Sequence, residues 1–338
     1  MQAWIELGVF TGKVAVVVIG IALVLFMILV LILRAKGAKL TLTIDSLNEK
    51  YDEMAQAMAA HLLTGKALKA ERKKWKNKEK EKEKATEDRP RVFVLDFVGD
   101  IRASHVDTIR EEISTILTMA RPNQDEVVVR LESPGGMAHA YGLGATQLMR
   151  VRDAGVSLTV CVDKVAASGG YMMACTANKI LAAPFAIIGS IGVVAQVPNV
   201  HRLLKKHDID YEEITAGEFK RTISVFGEIT PKGRQKFLEQ IEETHQLFKN
   251  FVKDCRPQLD LDGVATGEYW YGRRAQELNL VDELISSDSY LFKKRETADI
   301  FKIEAQGHKK WTEKLAESMA LAISSSVERV IQRGSSIF

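Results

Sequence analysis

Cysteine is scarce in this chain. Its 338 residues hold three, Cys161, Cys175 and Cys255. An odd number with no CxxC spacing excludes a disulfide scaffold and gives no zinc signature. A histidine in an evident catalytic setting is also missing. Of His61, His105, His139, His201, His207, His245 and His308, only His139 follows a glycine turn closely, and it reads as a helix-surface residue. No internal duplication is visible. Neither sign of charge dominates, with 27% charged residues and a net charge of +3. At 46% hydrophobic the chain is too apolar to be disordered. Its length and mean hydropathy of −0.06 suit an ordinary one- or two-domain protein. The sequence pI of 8.6 is a weak pointer to nucleic acid or anionic membrane.

These averages conceal two segments of opposite character. Residues 14–33, VAVVVIGIALVLFMILVLIL, carry no charged or polar side chain. As a helix, 20 residues span about 30 Å, the thickness of the hydrocarbon core of a bilayer. A cleaved signal peptide has a shorter apolar stretch of about 7–15 residues and a small-residue cleavage site. Here the run is longer and Arg34, Lys36 and Lys39 crowd its end, which favours an uncleaved anchor. Residues 66–84 hold ten Lys/Arg and four Glu, a net of +6 that leaves −3 for everything else. Such a Lys/Glu tract reads as a solvated helix or a spacer, with contact to anionic headgroups as the sharper alternative. The basic pI therefore gives no reason to expect a nucleic-acid partner.

The layout read from the sequence is a short segment at 1–13, a transmembrane anchor at 14–33, and an amphipathic helix with charged spacer at 34–90. A catalytic α/β domain follows at 91–299, then an amphipathic tail at 300–338. Leu47, Tyr51, Met54, Met58 and Leu62 make one apolar helix stripe, which Gly65 ends. From Arg91 short apolar runs alternate with helical stretches: strands at 92–98, 127–131, 157–162, 180–183 and 211–214, an extended stretch at 186–197, and helices at 105–120, 138–154, 168–177, 200–207 and 232–255. That alternation predicts a largely parallel sheet. Pro184, Gly189, Ser190 and Gly192 interrupt the apolar residues 181–197, so they read as core strands and not as a second membrane span. In the tail, Trp311, Leu315, Met319, Ile323 and Val327 recur every four residues. That stripe suits packing between subunits, a membrane surface, or the chain's own domain.

Four clusters can carry chemistry: LESPGG at 131–136, VAASGGYMMAC at 165–175, IGSIGVV at 188–194 and TAGEFKR at 215–221. A serine nucleophile needs a base and backbone N–H donors for the oxyanion. Ser168, followed by Gly169 and Gly170, sits where a strand hands over to a helix. Position alone reads it equally as an exposed nucleophile or as an N-cap. With no histidine suited to the task, a lysine is the alternative base. A lysine must fall about 3 units from its ordinary pKa, roughly 4 kcal/mol, to act near neutral pH, and burial achieves that. Lys220, between Phe219 and the next apolar segment, is placed for burial, although spacing alone leaves it one surface lysine among many.

Taken in order, SPGG, AASGGY, GSIGV and a lysine 52 residues beyond the serine closely resemble the signal peptide peptidase A family of Ser–Lys serine proteases. The resemblance runs from the anchor to about Leu284 and covers the single-unit, membrane-anchored bacterial branch of the family. It implies a ClpP/crotonase-like fold of repeated ββα units behind an N-terminal transmembrane helix. It further implies Ser168 as nucleophile, Lys220 as general base and Ser190 as the hydroxyl that orients the lysine. Gly135 or Gly136 would supply one oxyanion-hole amide and Gly169 the other. TGEYWYGRRAQELNLVDEL at 266–284 resembles a late family segment in which Asn279 replaces the usual glycine; Asn tolerates the left-handed conformation, so the turn should survive.

What the resemblance implies for function is a metal-free and cofactor-free endopeptidase in the bacterial inner membrane. It would cleave extended, largely apolar peptides such as signal-peptide remnants or membrane-protein fragments. Because the chain holds one unit, it also implies a ring-like homo-oligomer in which Ser168 faces Lys220 of the next protomer. A crotonase-like acyl-CoA enzyme shares the glycine-rich turns but does not explain the serine, the lysine and the anchor together. A non-catalytic membrane scaffold is the third reading. Arg34, Lys36 and Lys39 after the anchor favour a cytoplasmic catalytic domain by the positive-inside rule. The family's substrates favour the periplasmic side, which is the expectation adopted.

Overall fold

The short apolar runs become strands because both of their faces are covered. In the computed structural model, which describes residues 41–85 and 89–306 together with the helical positions Gly20, Ile21 and Phe26, the chain opens with β1 (Thr41–Ser46), α1 (Leu47–Leu62), α2 (Gly65–Ala85), β2 (Arg91–Val98), α3 (Val106–Leu117), β3 (Glu126–Glu132), α4 (Ala138–Asp153) and β4 (Ser157–Val162). It continues with β5 (Val165–Ala167), α5 (Gly169–Ala174), β6 (Lys179–Ala182), β7 (Ile187–Gly189), α6 (His201–Lys206) and the long α7 (Pro231–Cys255). The last elements are α8 (Leu261–Val264), β8 (Tyr269–Tyr271), α9 (Gly272–Glu277), β9 (Glu283–Leu284), α10 (Ser287–Lys294) and β10 (Asp299–Gln306). The rest of the apolar run at 14–33 and the stripe at 311–327 lie outside the described residues. Among the described residues no helix is long and apolar enough to cross a membrane.

Seven strands form one sheet in the order β1-β10-β2-β3-β4-β6-β9. The pairs from β10 through to β9 are parallel. Parallel neighbours need crossovers, which α3 and α4 supply, and such a sheet is buried on both faces. Side chains alternate accordingly. Phe93, Leu95, Phe97, Val127, Val129, Leu131, Leu158 and Val160 meet α3 and α4 in the larger core, with Ile109, Ile113, Tyr141 and Leu148. Val92, Val94, Val128, Cys161, Leu181 and Ile300 face the other way, under Leu47 and Leu291. A smaller sheet of β5, β7 and β8 sits beyond the ends of β3 and β4, tied to β3 by a bridge between Ser133 and Ala166.

β1 and β10 both join the main sheet, so the compact unit runs from Leu42 to Ala305, beyond both ends of the 91–299 span read from the sequence. Asn48 makes part of that link: its Oδ1 accepts from the Ile300 N–H at 2.7 Å and its Nδ2 donates to the Ala298 carbonyl at 3.1 Å. The segment at 211–214, expected as a strand, is none. It has no strand beside it, and its side chains are exposed. The extended stretch expected at 186–197 pairs only over Ile187–Gly189. Gly65 does not end helical structure; at φ +58° it is the joint between α1 and α2.

Two buried carboxylates behave oppositely. Asp125, 2% exposed, accepts from the backbone N–H groups of Arg91 (2.9 Å) and Arg121 (2.8 Å) and from both guanidinium groups (2.6 and 2.8 Å). Burial alone would raise its pKa, but the hydrogen bonds from Arg121 and Arg91 outweigh it and hold the carboxyl well below the usual carboxylate range. Glu112, 3% exposed, accepts one bond, from the Ala305 N–H at 2.9 Å, and its other oxygen has no partner. Burial raises its pKa to about 7, assisted by the carboxylates of Asp96 and Glu304 and opposed by the Ala305 bond and Lys302.

Asp125→Ala is expected to cost about 1–3 kcal/mol in urea unfolding, because the half-buried guanidinium groups and the N–H groups of Arg91 and Arg121 lose their shared acceptor. The depressed Asp125 carboxyl stabilises the native state above the unfolded pKa of about 4, and that contribution disappears as pH falls through the lower native value. Glu112 works in the opposite sense. The unfolded chain ionises it from pH 4.5 upward while the native state keeps the proton to about pH 7, so native stability is lost as pH rises through that window. Glu112→Gln is therefore expected to stabilise by up to about 3 kcal/mol at pH 8 and to change little at pH 4, measured by unfolding at both values.

Candidate active site

Two neighbouring strand ends carry two serines. β5 and β7 run parallel with Ala167 opposite Gly189, so Ser168 and Ser190, the next residues, leave the small sheet side by side. The Ser168 N–H donates to the Gly189 carbonyl at 2.8 Å, and the Ser190 N–H donates to the Glu268 carbonyl at 2.6 Å. Both serines have positive φ, +51° and +53°, a conformation that costs a non-glycine residue about 1–3 kcal/mol. Ser168 heads α5, yet its hydroxyl makes no capping bond to that helix. Of the two readings open from position alone, the cap is thereby set aside.

The SPGG turn is pressed against Ser168. Gly135 has φ +89°, and a Cβ there would lie 2.7 Å from the Gly169 nitrogen and 2.8 Å from the Ser168 Cβ. A Cβ on Gly169 would lie 2.4 Å from the Tyr141 ring. Only residues without a side chain allow this approach. A hydrogen-bond relay holds the turn in place. The Gly135 N–H donates to Ser133 Oγ (3.1 Å), Ser133 Oγ bonds the Tyr141 hydroxyl (2.6 Å), and that hydroxyl donates to the Asp100 carbonyl (2.7 Å). Nothing in the sequence reading pointed to this relay; an apolar helix residue such as Tyr141 gives no signal that its hydroxyl is used. With Gly135 engaged, the N–H groups of Gly136 and Gly169 are left with no protein acceptor among the described residues.

Ser168, Ser190, Gly135, Gly136 and Gly169 line one cleft of about 1270 Å³. Its other walls are apolar, from Met137, Met172, Val194 and, on α7, Leu247, Phe248 and Phe251. Thr244 and His245 of α7 also reach it; His245 Nε2 lies 3.3 Å from the Ile191 carbonyl. The spacing gave no reason to single out His245, because α7 meets the cleft only through folding. His139 is an exposed residue of α4, as read from the sequence.

Lys220 is not brought to this cleft within one chain, and its expected burial is not met. It is exposed in the irregular segment at 207–230, where its N–H donates to the Gly217 carbonyl at 3.1 Å. This segment rests on the first turns of α7: Lys232 pairs with Glu218, and Lys232 and Lys236 sit over the Phe219 ring. No core lies beneath it to desolvate a lysine. Among the described residues no cluster of three or more His, Cys, Asp or Glu is set to hold a metal ion.

The sequence matches the descriptions "Peptidase family S49 N-terminal" over residues 2–148 and "Peptidase family S49" over residues 150–300. The chain belongs to peptidase family S49 and is thus a member of a serine protease family. Its relatives include a "Probable protease SohB" of Haemophilus influenzae, 59% identical over 218 residues, which are 64% of this chain and 62% of that one. Another "Probable protease SohB", from Buchnera aphidicola of Acyrthosiphon pisum, is 49% identical over 243 residues, 72% of each chain. The match to the Haemophilus protein therefore spans less than two thirds of its length. Among solved structures, the membrane-bound stomatin-specific protease 1510-N in complex with a substrate peptide is 13% identical with a TM-score of 0.39, covering 68% of this chain and 98% of that one.

Tyr141→Phe leaves the Ser133 hydroxyl without its acceptor and the Asp100 carbonyl without its donor. It is expected to lower stability by about 1–3 kcal/mol, measured by urea unfolding against the wild type.

Proposed function

We propose that the chain is a membrane-anchored serine endopeptidase in which Ser168 is the nucleophile and Lys220 of a neighbouring copy is the general base. The observation that carries this reading is the uncapped, strained hydroxyl of Ser168 beside the unengaged N–H groups of Gly136 and Gly169. Membership of a peptidase family favours it over an acyl-CoA enzyme or a scaffold. The alternation β4–β5–α5 supports the ClpP/crotonase-like arrangement of ββα units.

In this mechanism the neutral Lys220 amine takes the Ser168 proton as Oγ attacks the scissile carbonyl carbon. The oxyanion is held by the Gly136 and Gly169 amides, each worth about 2.7–4 kcal/mol in the transition state. Gly135 shapes the turn, since its own N–H is already donated to Ser133. The carbon–nitrogen bond breaks, the leaving amine takes the proton from Lys220, and an acyl-enzyme remains. Water, activated by the same lysine, releases the acid and restores Ser168. The Ser190 hydroxyl orients the lysine amine.

Lys220 needs desolvation to serve as a base, and one chain alone leaves it exposed. A second copy closing over the segment at 193–230 would supply that. Val194 at 81% and Ile214 at 87% exposure offer apolar side chains that such a copy would cover. The apolar cleft walls suit extended, largely apolar peptides such as signal-peptide remnants or membrane-protein fragments. In this reading residues 14–33 anchor the enzyme in the bacterial inner membrane, with the catalytic domain on the periplasmic side.

Ser168→Ala and Lys220→Ala are each expected to lower peptide hydrolysis by about three orders of magnitude or more. A serine-directed phosphonate is expected to label Ser168 in the wild type. Mixing the two inactive variants should restore part of the activity, through sites that combine an intact Ser168 with an intact Lys220. Verified mixed oligomers that stay inactive would rule out the shared site, and unlabelled Ser168 would rule out the nucleophile.

A further inference from the structure

The most basic element of the chain carries its charge on one side. α2 opens with GKALKAERKKWKN at 65–77, where five lysines and one arginine meet a single glutamate. Positions three or four apart share a face of a helix. Lys66, Lys69, Lys73 and Lys76 follow that spacing, and Arg72 lies beside Lys69 and Lys76. The five fall within an arc of about 120° along about 15 Å of helix, and all five are exposed. Lys74 sits off this stripe and pairs with Glu71 at 3.1 Å. Leu68, Glu71 and Trp75 share the reverse face and are half-buried.

A spacer that only needs solvation has no reason to sort its charges. Residues 78–84 alternate lysine and glutamate, so their charges nearly cancel. The stripe does the opposite. Lys66 and Lys69, Lys69 and Lys73, Arg72 and Lys76, and Lys73 and Lys76 are all like-charge neighbours at three or four positions, which weakens a helix. Among the described residues no carboxylate pairs with any of the five. The repulsion is thus unrelieved within the chain, and an anionic surface laid along the stripe would relieve it. Two such surfaces exist, a bilayer and a nucleic acid. The residues outside 66–84 sum to −3, so no wider basic field surrounds the stripe to track a nucleic acid. A bilayer is close at hand on the reading of 14–33 as an anchor, because only 32 residues separate Leu33 from Lys66, and a short tether raises the effective concentration of the lipid.

We propose that Lys66, Lys69, Arg72, Lys73 and Lys76 of α2 form a docking surface for an anionic bilayer, with negatively charged phospholipid headgroups as the partner. Each basic side chain near such a surface is worth about 1 kcal/mol, or roughly fivefold in affinity. The contact fades as salt shortens the reach of the charges. The anchor reading supplies the nearness of the bilayer, whereas the stripe itself is read from α2. Neither depends on the proteolytic reading.

The test uses the full chain in nanodiscs of phosphatidylcholine alone and of an equal mixture with phosphatidylglycerol. Lysines are acylated with a water-soluble succinimidyl ester, and the rate at each is read by mass spectrometry. On the anionic discs Lys66, Lys69, Lys73 and Lys76 are expected to react at least about fivefold more slowly than on the neutral ones, while Lys74, on the other side of the same helix, changes less than about twofold. About 1 M salt, where the Debye length is about 3 Å, should abolish the difference. Lys69→Glu/Lys73→Glu, both at exposed positions, should remove the protection of Lys66 and Lys76. Equal rates on the two lipids overturn the proposal, as does protection that extends equally to Lys74 or persists at high salt. Protection by a duplex oligonucleotide on neutral discs, with none from phosphatidylglycerol, also overturns it in favour of nucleic acid. Retention of the chain by neutral discs reads the anchor separately. If they do not retain it, the anchor reading fails, and the same rates on free vesicles of the two compositions decide the stripe.

Discussion

The turn at 133–136 and the turn at 168–170 touch backbone to backbone, and the geometry of the cleft follows from that contact. A Cβ at Gly135 would sit 2.7 Å from the Gly169 nitrogen, so the two glycines act as a pair of flat surfaces. The contact is held from both sides. The Ser133 N–H donates to the Val165 carbonyl at 2.8 Å, and the Ala167 N–H donates to the Ser133 carbonyl at 3.0 Å. From behind, the relay through Ser133, Tyr141 and Asp100 engages the Gly135 N–H and leaves the next amide free. Because Ser133 and Tyr141 are both fully buried, these bonds compete with little water and fix the turn more firmly than exposed bonds would.

Strain at Ser168 and Ser190 persists because their neighbours are over-determined. Each follows a residue locked in the β5–β7 ladder, and each N–H is already used by a carbonyl from the adjoining chain segment. Relaxing either φ would forfeit a backbone bond in a buried setting. The arm that carries Lys220 is organised differently. Only Phe248 and Val252 of α7 are buried, both near its C-terminal end, whereas Leu238 is 55% exposed. The helix is thus rooted at the end that bears Cys255 and stands away from the core at the end that holds the segment at 207–230.

The sequence revealed the parts of the fold that depend on local pattern. The runs at 92–98 and 127–131 read as strands because a parallel sheet buries both faces, and the stripe Val106, Ile109, Ile113, Ile116 is buried in α3 as its spacing implied. Asn279 adopts φ +60°, as the resemblance implied for a position that is usually glycine. What pattern did not reveal depends on distant partners. Asn48, at the start of α1, ties the N-terminal segment to Ala298 and Ile300 at the start of β10 across some 250 residues, and no local signal marks that link. The chain at 211–214 has the residues of a strand but nothing to pair with. The serine cluster of the site was legible because glycines and serines at strand ends are conspicuous. The role of Tyr141 was hidden because its ring satisfies the core pattern by itself.

Exposure of Lys220 also bears on why a lysine would serve as the proposed base. An amine in open water is protonated near neutral pH and cannot accept a proton from serine. Burying it inside one subunit would need a core under the segment at 207–230, and the chain places none there. On the proposed reading the missing desolvation comes from assembly: the amine loses its water when a second copy covers it. A lone subunit then holds a strained nucleophile and two free amides but no base, and proteolysis is confined to the assembled state. A histidine, with an ordinary pKa already near neutrality, would work without that burial. On the same reading, the choice of lysine would make the base depend on an interface, a dependence that the exposed apolar side chains of the same segment are suited to satisfy.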